Sequence, residues 1–224
     1  MIRAVIIDLD DTLCLTEAVC FEMENKVLKI VGRKPMSRDI HLSTWGKPLF
    51  EAIKIRSPGI DVEAFKTAYH PLIKEYIKEG KLDSIPEVNY KALDKLNQLG
   101  KILMVLTSRT HVELQHLLED DHKLAPRIKA FYYRDNMAYH KPDPRAFSEL
   151  LKNSDLLPNQ CVYVGDSISD AQAARDAGLH FVASLESGLK QREDFKNMSV
   201  DVFVNKFPDV VDAVTSLDSS IISS

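Results

Sequence analysis

Apolar residues fall along this chain in short β-branched and aliphatic runs separated by stretches of helical spacing. Ala4–Ile7, Ile102–Leu106, Val162–Val164, Phe181–Ala183 and Val202–Val204 each read as a strand buried on both faces, with Phe131–Tyr133 as a sixth. Between them, Leu93, Leu96 and Leu99 lead to a stop at Gly100, and Val112, Leu114, Leu117 and Leu118 make a second apolar stripe. This alternation of strand and helix predicts an α/β fold: a Rossmann-like, doubly wound parallel sheet covered on both faces.

Residues 15–83 break the rhythm, because no strand pattern occurs there. Phe65, Tyr69, Leu72, Ile73, Tyr76 and Ile77 are spaced for one face of a helix, which Pro71 is expected to kink or split. The predicted organisation is therefore an α/β core from residues 1–14 and 84–224, with residues 15–83 inserted as a small helical domain. The serine-rich stretch Ser216–Ser224 reads as a frayed tail.

Composition narrows the possibilities. With 224 residues, 45% of them hydrophobic and 28% charged, the chain has material for a compact core and at most two globular units. Twenty-nine basic against 33 acidic residues give a net charge of -4, which supplies no footprint for a nucleic-acid backbone and argues against nucleic acid as a partner. No run approaches the roughly 20 apolar residues that cross a bilayer, and the N-terminus meets its first acid at Asp8, too early for a secretory signal. No membrane partner and a cytoplasmic location are the expectations. Cys14, Cys20 and Cys161 form no CxxC pair, so they read as reduced packing residues rather than a disulfide framework or a zinc site.

Four motifs carry chemistry. Asp8-Leu9-Asp10-Asp11-Thr12 follows the first strand, and residues two apart in extended chain project to one side, so Asp8 and Asp10 face one site while Leu9 faces the core. Thr107-Ser108 ends the second predicted strand, where a hydroxyl and adjacent amides suit a phosphate oxygen. Lys141 stands in the proline-stiffened loop His140-Lys141-Pro142-Asp143-Pro144. Gly165-Asp166-Ser167-Ile168-Ser169-Asp170 runs from a strand into a helix that Gly178 ends, and its two acids, four apart, make a hard-oxygen site suited to magnesium. Singly, each piece also has a structural use as a turn, a cap or a solvated charge.

In this order the pieces resemble the haloacid dehalogenase superfamily of phosphohydrolases: DxDxT, a hydrophobic strand ending in Ser or Thr, a lysine, then GDxxxD. The match runs from Asp8 to Asp170, and the insertion resembles the helical C1-type cap of the phosphoglycolate phosphatase and β-phosphoglucomutase branch. The resemblance implies a magnesium-dependent phosphatase that hydrolyses a small-molecule phosphate monoester through an aspartyl-phosphate, similar to phosphoglycolate phosphatase. It implies Asp8 as nucleophile and Asp10 as general acid, then base. Mg2+ would be held by Asp8, the main-chain carbonyl of Asp10, Asp166, and waters fixed by Asp170. Lys141, Thr107 and Ser108 would bind the transferring phosphate, and Trp45-Gly46-Lys47 resembles a specificity loop in a cap that closes over the ester.

The implied partner is a small phosphorylated metabolite, and the implied assembly a monomer or weak homodimer. Phosphoglycolate, sugar phosphates, nucleoside monophosphates and phosphonates all remain candidates, because cap loops carry no transferable code; phosphonates are the least favoured, since their cleavage needs a Schiff-base lysine in the cap and none stands out. Dehalogenase members of the superfamily resemble DxY where this chain has Asp10, which favours phosphate chemistry. A β-phosphoglucomutase-like mutase is an alternative: Thr16 matches the hinge Thr of those enzymes, although Cys20 stands where they usually carry His. A non-catalytic phosphate-binding regulatory protein is the other alternative, and it would be free to lose Asp8, Asp10, Lys141 or Asp166, all of which are present.

Overall fold

The computed structural model describes residues 1–222 of the chain, which divide into two compact units: Met1–Cys14 together with the chain from Ile85 onward, and Leu15–Ser84. In the first unit, β1 (Ala4–Ile7), β2 (Ile102–Leu106), β3 (Ala130–Tyr132), β4 (Cys161–Gly165), β5 (His180–Ser184) and β6 (Val202–Val204) form one parallel sheet in the order β3-β2-β1-β4-β5-β6. β1, β2 and β6 have the limits read from the sequence; β4 and β5 run one residue further at each end, and β3 begins and ends one residue earlier.

The order reverses at β1. The chain steps from β1 out to β2 and β3, then crosses back to β4 and continues to β5 and β6, so β1 and β4 border the switch point, where doubly wound sheets open a crevice at their carboxyl edge. Ile7 pairs with Val105 on one side and with Val164 on the other. The residues that leave β1, β2 and β4, namely Asp8, Thr107 and Asp166, therefore emerge side by side at that edge.

Strand alternation divides the core between the two faces of the sheet. Val5, Ile7, Val105 and Val164 share one apolar cluster with Leu93 and Leu96 of α5 (Glu87–Gln98) and Val210 and Val214 of α9 (Val210–Ile222). Ala4, Ile6, Leu106 and Tyr163 share the other with Leu150 of α7 (Ser148–Ser154) and Ala171 and Ala174 of α8 (Ile168–Asp176). Gly100 closes α5 at φ 74°, where its N–H reaches Asn97 and that of Lys101 reaches Leu96; a left-handed φ of this kind favours glycine.

Two expectations for this unit are corrected. The Val112–Leu118 stripe makes only one α-turn, α6 (His111–Leu114), continued as a tighter 3-10 turn over Gln115–Leu118: Leu114 and Leu117 are buried, but Val112 is exposed. The serine-rich terminus is not frayed through Ile222. It belongs to α9, because Val214 and Leu217 pack on the sheet, Ser220 donates to the carbonyls of Ser216 and Leu217, and Asp218 ties the helix to the Ile2 N–H and to Lys101. Residues 223 and 224 lie outside the described residues.

The second unit contains α1 (Glu17–Ile30), α2 (Arg38–Ser43), α3 (Leu49–Arg56) and α4 (Val62–Lys78), and no strand among its described residues. α4 runs unbroken through Pro71, contrary to the expected split. Its buried stripe of Phe65, Tyr69, Ile73 and Tyr76, together with Met23, Val27 and Leu28 of α1, outweighs the roughly 3 kcal/mol that an internal proline costs a helix. Beside this apolar core lies a buried ionic network. Glu17 faces His41 Nδ1 at 2.7 Å, and Arg56 donates to Glu24 at 2.5 Å and to the Thr44 hydroxyl at 2.7 Å.

Candidate active site

Burial and charge meet at the carboxyl edge of the sheet. Asp8 leaves β1 with its N–H bonded to the Val164 carbonyl at 2.9 Å, and one of its carboxylate oxygens accepts from the Leu9 N–H at 2.9 Å. Its other oxygen lies 3.0 Å from Lys141 Nζ. Asp166 leaves β4, and Asp170 stands one turn on, in the first turn of α8. Ligand oxygens of Asp8, Asp166 and Asp170 all lie within 4.8 Å of one another, and all three residues are buried. Three carboxylates that close would repel, and one cation already stands among them.

Asp170 is held on every side. Oδ2 accepts from the Ser167 N–H at 3.0 Å and the Ser167 hydroxyl at 2.6 Å, a reciprocal cap in which Ser167 in turn accepts from the Asp170 N–H. Oδ1 faces Lys141 Nζ at 2.7 Å. Gly165 makes this approach possible: a Cβ built there would stand 2.7 Å from the Cβ, Cγ and Oδ2 of Asp170. Asp166 differs, since no hydrogen bond or ion pair engages its carboxylate among the described residues, although it is only 7% exposed. An acid buried without a donor suits a cation, and the donor set, all carboxylate oxygen, suits a hard one such as Mg2+. Asp166 has both oxygens without a donor among the described residues, and Asp8 carries one donor on each of its oxygens, which leaves each a lone pair for the ion; Asp170 is more heavily committed, with two Ser167 donors on Oδ2 and Lys141 and Tyr163 on Oδ1.

The titration behaviour follows from the same geometry. Burial pushes the Asp8 carboxyl up to about 7; Lys141 opposes the rise, while Asp170 and Asp10 add to it. Burial also raises Asp166 well above the usual carboxylate range, with Asp170 and Asp8 contributing. Lys141 loses by desolvation, but the charges of Asp170 and Asp8 outweigh that loss and hold it above its ordinary value.

The remaining expected residues are placed as follows. Thr107 is fully buried behind β2, and its hydroxyl accepts from the Arg109 N–H at 3.2 Å; Ser108 beside it is exposed. The Asp10 carboxylate is not part of the group formed by Asp8, Asp166 and Asp170. Arg109 forks onto it instead, with Nε 3.1 Å from both oxygens and Nη2 2.6 Å from Oδ1. Trp45, Gly46 and Lys47 belong to the second unit, in the turn after α2, where the Trp45 ring lies 5.1 Å from that of His41, Gly46 has φ 84°, and Lys47 is exposed.

Sequence reasoning missed two residues. Arg109 directly follows Thr107-Ser108, and a cation leaving a strand at this edge was a usable signal. Tyr163 lies within β4, donates to the Leu106 carbonyl at 3.2 Å and accepts from Lys141 at 2.7 Å. Nothing in the run CVYVG sets it apart from core.

Comparison with known proteins agrees with this geometry. Residues 5–184 match the family model of haloacid dehalogenase-like hydrolases. A phosphorylated carbohydrates phosphatase of Thermotoga maritima is 30% identical over 192 residues, 84% of this chain and 87% of that protein. A phosphoglycolate phosphatase of Xylella fastidiosa is 26% identical over 195 residues, 86% of this chain and 83% of that one. Among solved structures, CbbY from Rhodobacter sphaeroides in complex with phosphate superposes with a TM-score of 0.76 at 21% identity, covering 94% of this chain and 96% of its own. β-Phosphoglucomutase from Clostridium difficile gives 0.72 at 17% identity, with both chains fully covered. At such identities the structural likeness speaks for the fold alone. The family match spans most of the chain and includes the acids and the lysine that converge at the sheet's switch point, so this chain belongs to the haloacid dehalogenase-like hydrolase family.

Proposed function

We propose that this protein is a magnesium-dependent phosphatase that hydrolyses small phosphate monoesters through an aspartyl-phosphate on Asp8. The observation that carries the reading is the Asp8 carboxylate itself: buried, 3.0 Å from the Lys141 ammonium, and grouped with the donor-free Asp166 at the mouth of the sheet. Phosphoryl transfer asks chiefly for positioning and for neutralisation of charge. An Mg2+ ion held by Asp8 and Asp166 would supply that neutralisation against the phosphate dianion.

Within this reading, an oxygen of Asp8 forms a bond to phosphorus as the bond to the ester oxygen breaks, and Asp10 gives that oxygen its proton. A water then attacks phosphorus and yields its proton to Asp10; the bond to Asp8 breaks, and inorganic phosphate leaves. Lys141 holds the Asp8 carboxylate in place and follows the charge onto the phosphoryl oxygens. For Asp10 to serve as acid, the Arg109 fork must open when the ester binds. The Thr107 hydroxyl and Ser108 amide are assigned to the phosphoryl oxygens, which their place behind β2 supports. The helical unit is assigned the role of cap, with Trp45, Gly46 and Lys47 as candidate specificity residues, from its insertion directly after the first motif.

Relatives named for phosphoglycolate and for phosphorylated carbohydrates point to small, polar phosphate esters as substrates. The test is phosphate release from a panel of such esters and p-nitrophenyl phosphate, with Mg2+ or with chelator, for wild type and Asp8→Asn. Release that needs the metal and disappears in Asp8→Asn is expected. Release that survives either removal, or none from any ester, overturns the reading.

A further inference from the structure

The Lys141 ammonium has three protons and meets three acceptors: Asp170 Oδ1 at 2.7 Å, Tyr163 Oη at 2.7 Å and Asp8 Oδ2 at 3.0 Å. Two of the partners belong to the acidic group already described. The third is a neutral hydroxyl on a fully buried side chain of β4. We propose that Tyr163 is a positioning residue for Lys141: with Asp170 it anchors two of the three ammonium protons and leaves the third for Asp8 and the group that Asp8 receives.

The surroundings of Tyr163 support this role. Its ring packs edge-on against Phe147 at 5.1 Å and lies 6.3 Å from Phe181, within the apolar layer that also holds Leu150, Ala171 and Ala174. A phenylalanine fills such a place equally well, whereas a hydroxyl there must find partners to offset its desolvation. Among the described residues it finds them only in Lys141, Asp170 and the end of β2. Having accepted from Lys141, it has one proton to give, with the Leu106 carbonyl at 3.2 Å and Asp170 Oδ1 at 3.3 Å. Leu106 ends β2 and immediately precedes Thr107, so the Lys141 side chain, reaching in from a loop, is tied through one oxygen to β4 and β2, the two strands that flank β1.

The consequence for chemistry follows from which anchors react. A four-carbon side chain loses much rotamer freedom when fixed, and a single bond to Asp8 would not aim it. Tyr163 and Asp170 undergo no bond change in the proposed transfer, whereas the Asp8 carboxylate gives up its charge as it becomes an acyl phosphate. The proton facing Asp8 is then the one released to the phosphoryl oxygens, while the other two hold Nζ where it is needed. That catalytic part rests on the phosphatase reading above; the anchoring rests on the geometry alone.

Tyr163→Phe separates the two. In protein labelled with 15N-lysine, a thrice-bonded buried ammonium exchanges its protons slowly enough to give an NMR signal, assigned to Lys141 by its absence in Lys141→Met. Tyr163→Phe should speed that exchange until the signal broadens away. Persistence of an unchanged Lys141 signal in Tyr163→Phe, or its absence from wild type, overturns the anchoring whatever the protein's activity. In the turnover arm, kcat for p-nitrophenyl phosphate at saturating Mg2+ should fall by about 10- to 100-fold, the range for one hydrogen bond to a charged group, with KM within about twofold. The loss should vanish on the Lys141→Ala background, because Tyr163 acts through Lys141. A Tyr163→Phe enzyme as fast as an active wild type, or the same fold-loss without Lys141, refutes the catalytic part. A wild type inactive on every ester refutes the phosphatase reading, with the exchange arm still deciding the anchoring.

Discussion

Gly165 lets strand β4 turn into α8 with Asp170 folded back against it, and Gly165→Ala tests how tightly that turn is built. The added Cβ would stand 2.7 Å from three atoms of Asp170, roughly 1 Å inside ordinary carbon contact distance. The φ of Gly165 is not in the left-handed region, so alanine brings no backbone strain and the whole cost is steric. Asp170 cannot swing clear, since Ser167 holds Oδ2 and Lys141 holds Oδ1. The turn itself must open. Overpacking of this kind costs about 1–3 kcal/mol, or a melting point lower by about 2–12 °C for a chain of this size. Displacing Asp170 by even part of an ångström also moves Lys141, and misplacement of about 1 Å costs on the order of 10²-fold in rate. Scanning calorimetry and the p-nitrophenyl phosphate assay on the same preparation read both effects. A variant that melts and turns over like wild type would show that the close approach of Gly165 and Asp170 does not support the site.

Asp10→Asn should slow the first step, read in single turnover as release of the alcohol or nitrophenolate, by about 10²-fold or more for alkyl phosphates and much less for p-nitrophenyl phosphate, since nitrophenolate departs without a proton; equal losses in that step would remove Asp10 from the acid role. The raised carboxyls predict a metal effect that depends on pH. In the folded chain Asp8 holds its proton up to about 7 against an ordinary 3.8, so its contribution to stability is full below 3.8 and is lost as pH rises through about 7. Mg2+, which takes the ionised form, should raise the melting temperature more at about pH 8 than at about pH 5, and an equal rise at both would contradict this account. Arg56→Met strands the Glu24 carboxylate inside the helical unit, where the pair is 2% and 4% exposed, and should destabilise it by about 3–5 kcal/mol in urea titration; a loss below about 1 kcal/mol would mean that the ion pair does not matter there.

Much of this was legible in the chain itself because the signals are local. Runs such as AVII and ILMVL are buried on both sides, so they must be continuously apolar, and their limits can be read directly. The acids of the first and fourth motifs follow such runs at once, and every strand of a parallel sheet delivers its next residues to the same edge, so convergence of Asp8, Thr107 and Asp166 needs only the right strand order. The failures were local rules overruled by packing: Pro71 stays in its helix because Phe65, Tyr69 and Ile73 are buried around it, and the serines of the terminus stay helical because Val214 and Leu217 face the sheet.

What only the tertiary structure decided is how the charges pair. Coulombic attraction and desolvation depend on distance through space and on burial, neither of which a linear pattern contains. Asp10 and Asp8 are two residues apart and look equivalent, yet one is forked by Arg109, 99 residues away, and the other shares Lys141 with Asp170. Asp166 and Asp170 look alike as well, but Ser167 and Lys141 occupy the oxygens of Asp170, whereas those of Asp166 meet no donor among the described residues. Tyr163 reads as core in the sequence and becomes the floor of the site only because β4 lies beside β1 and brings its hydroxyl beneath the loop that carries Lys141.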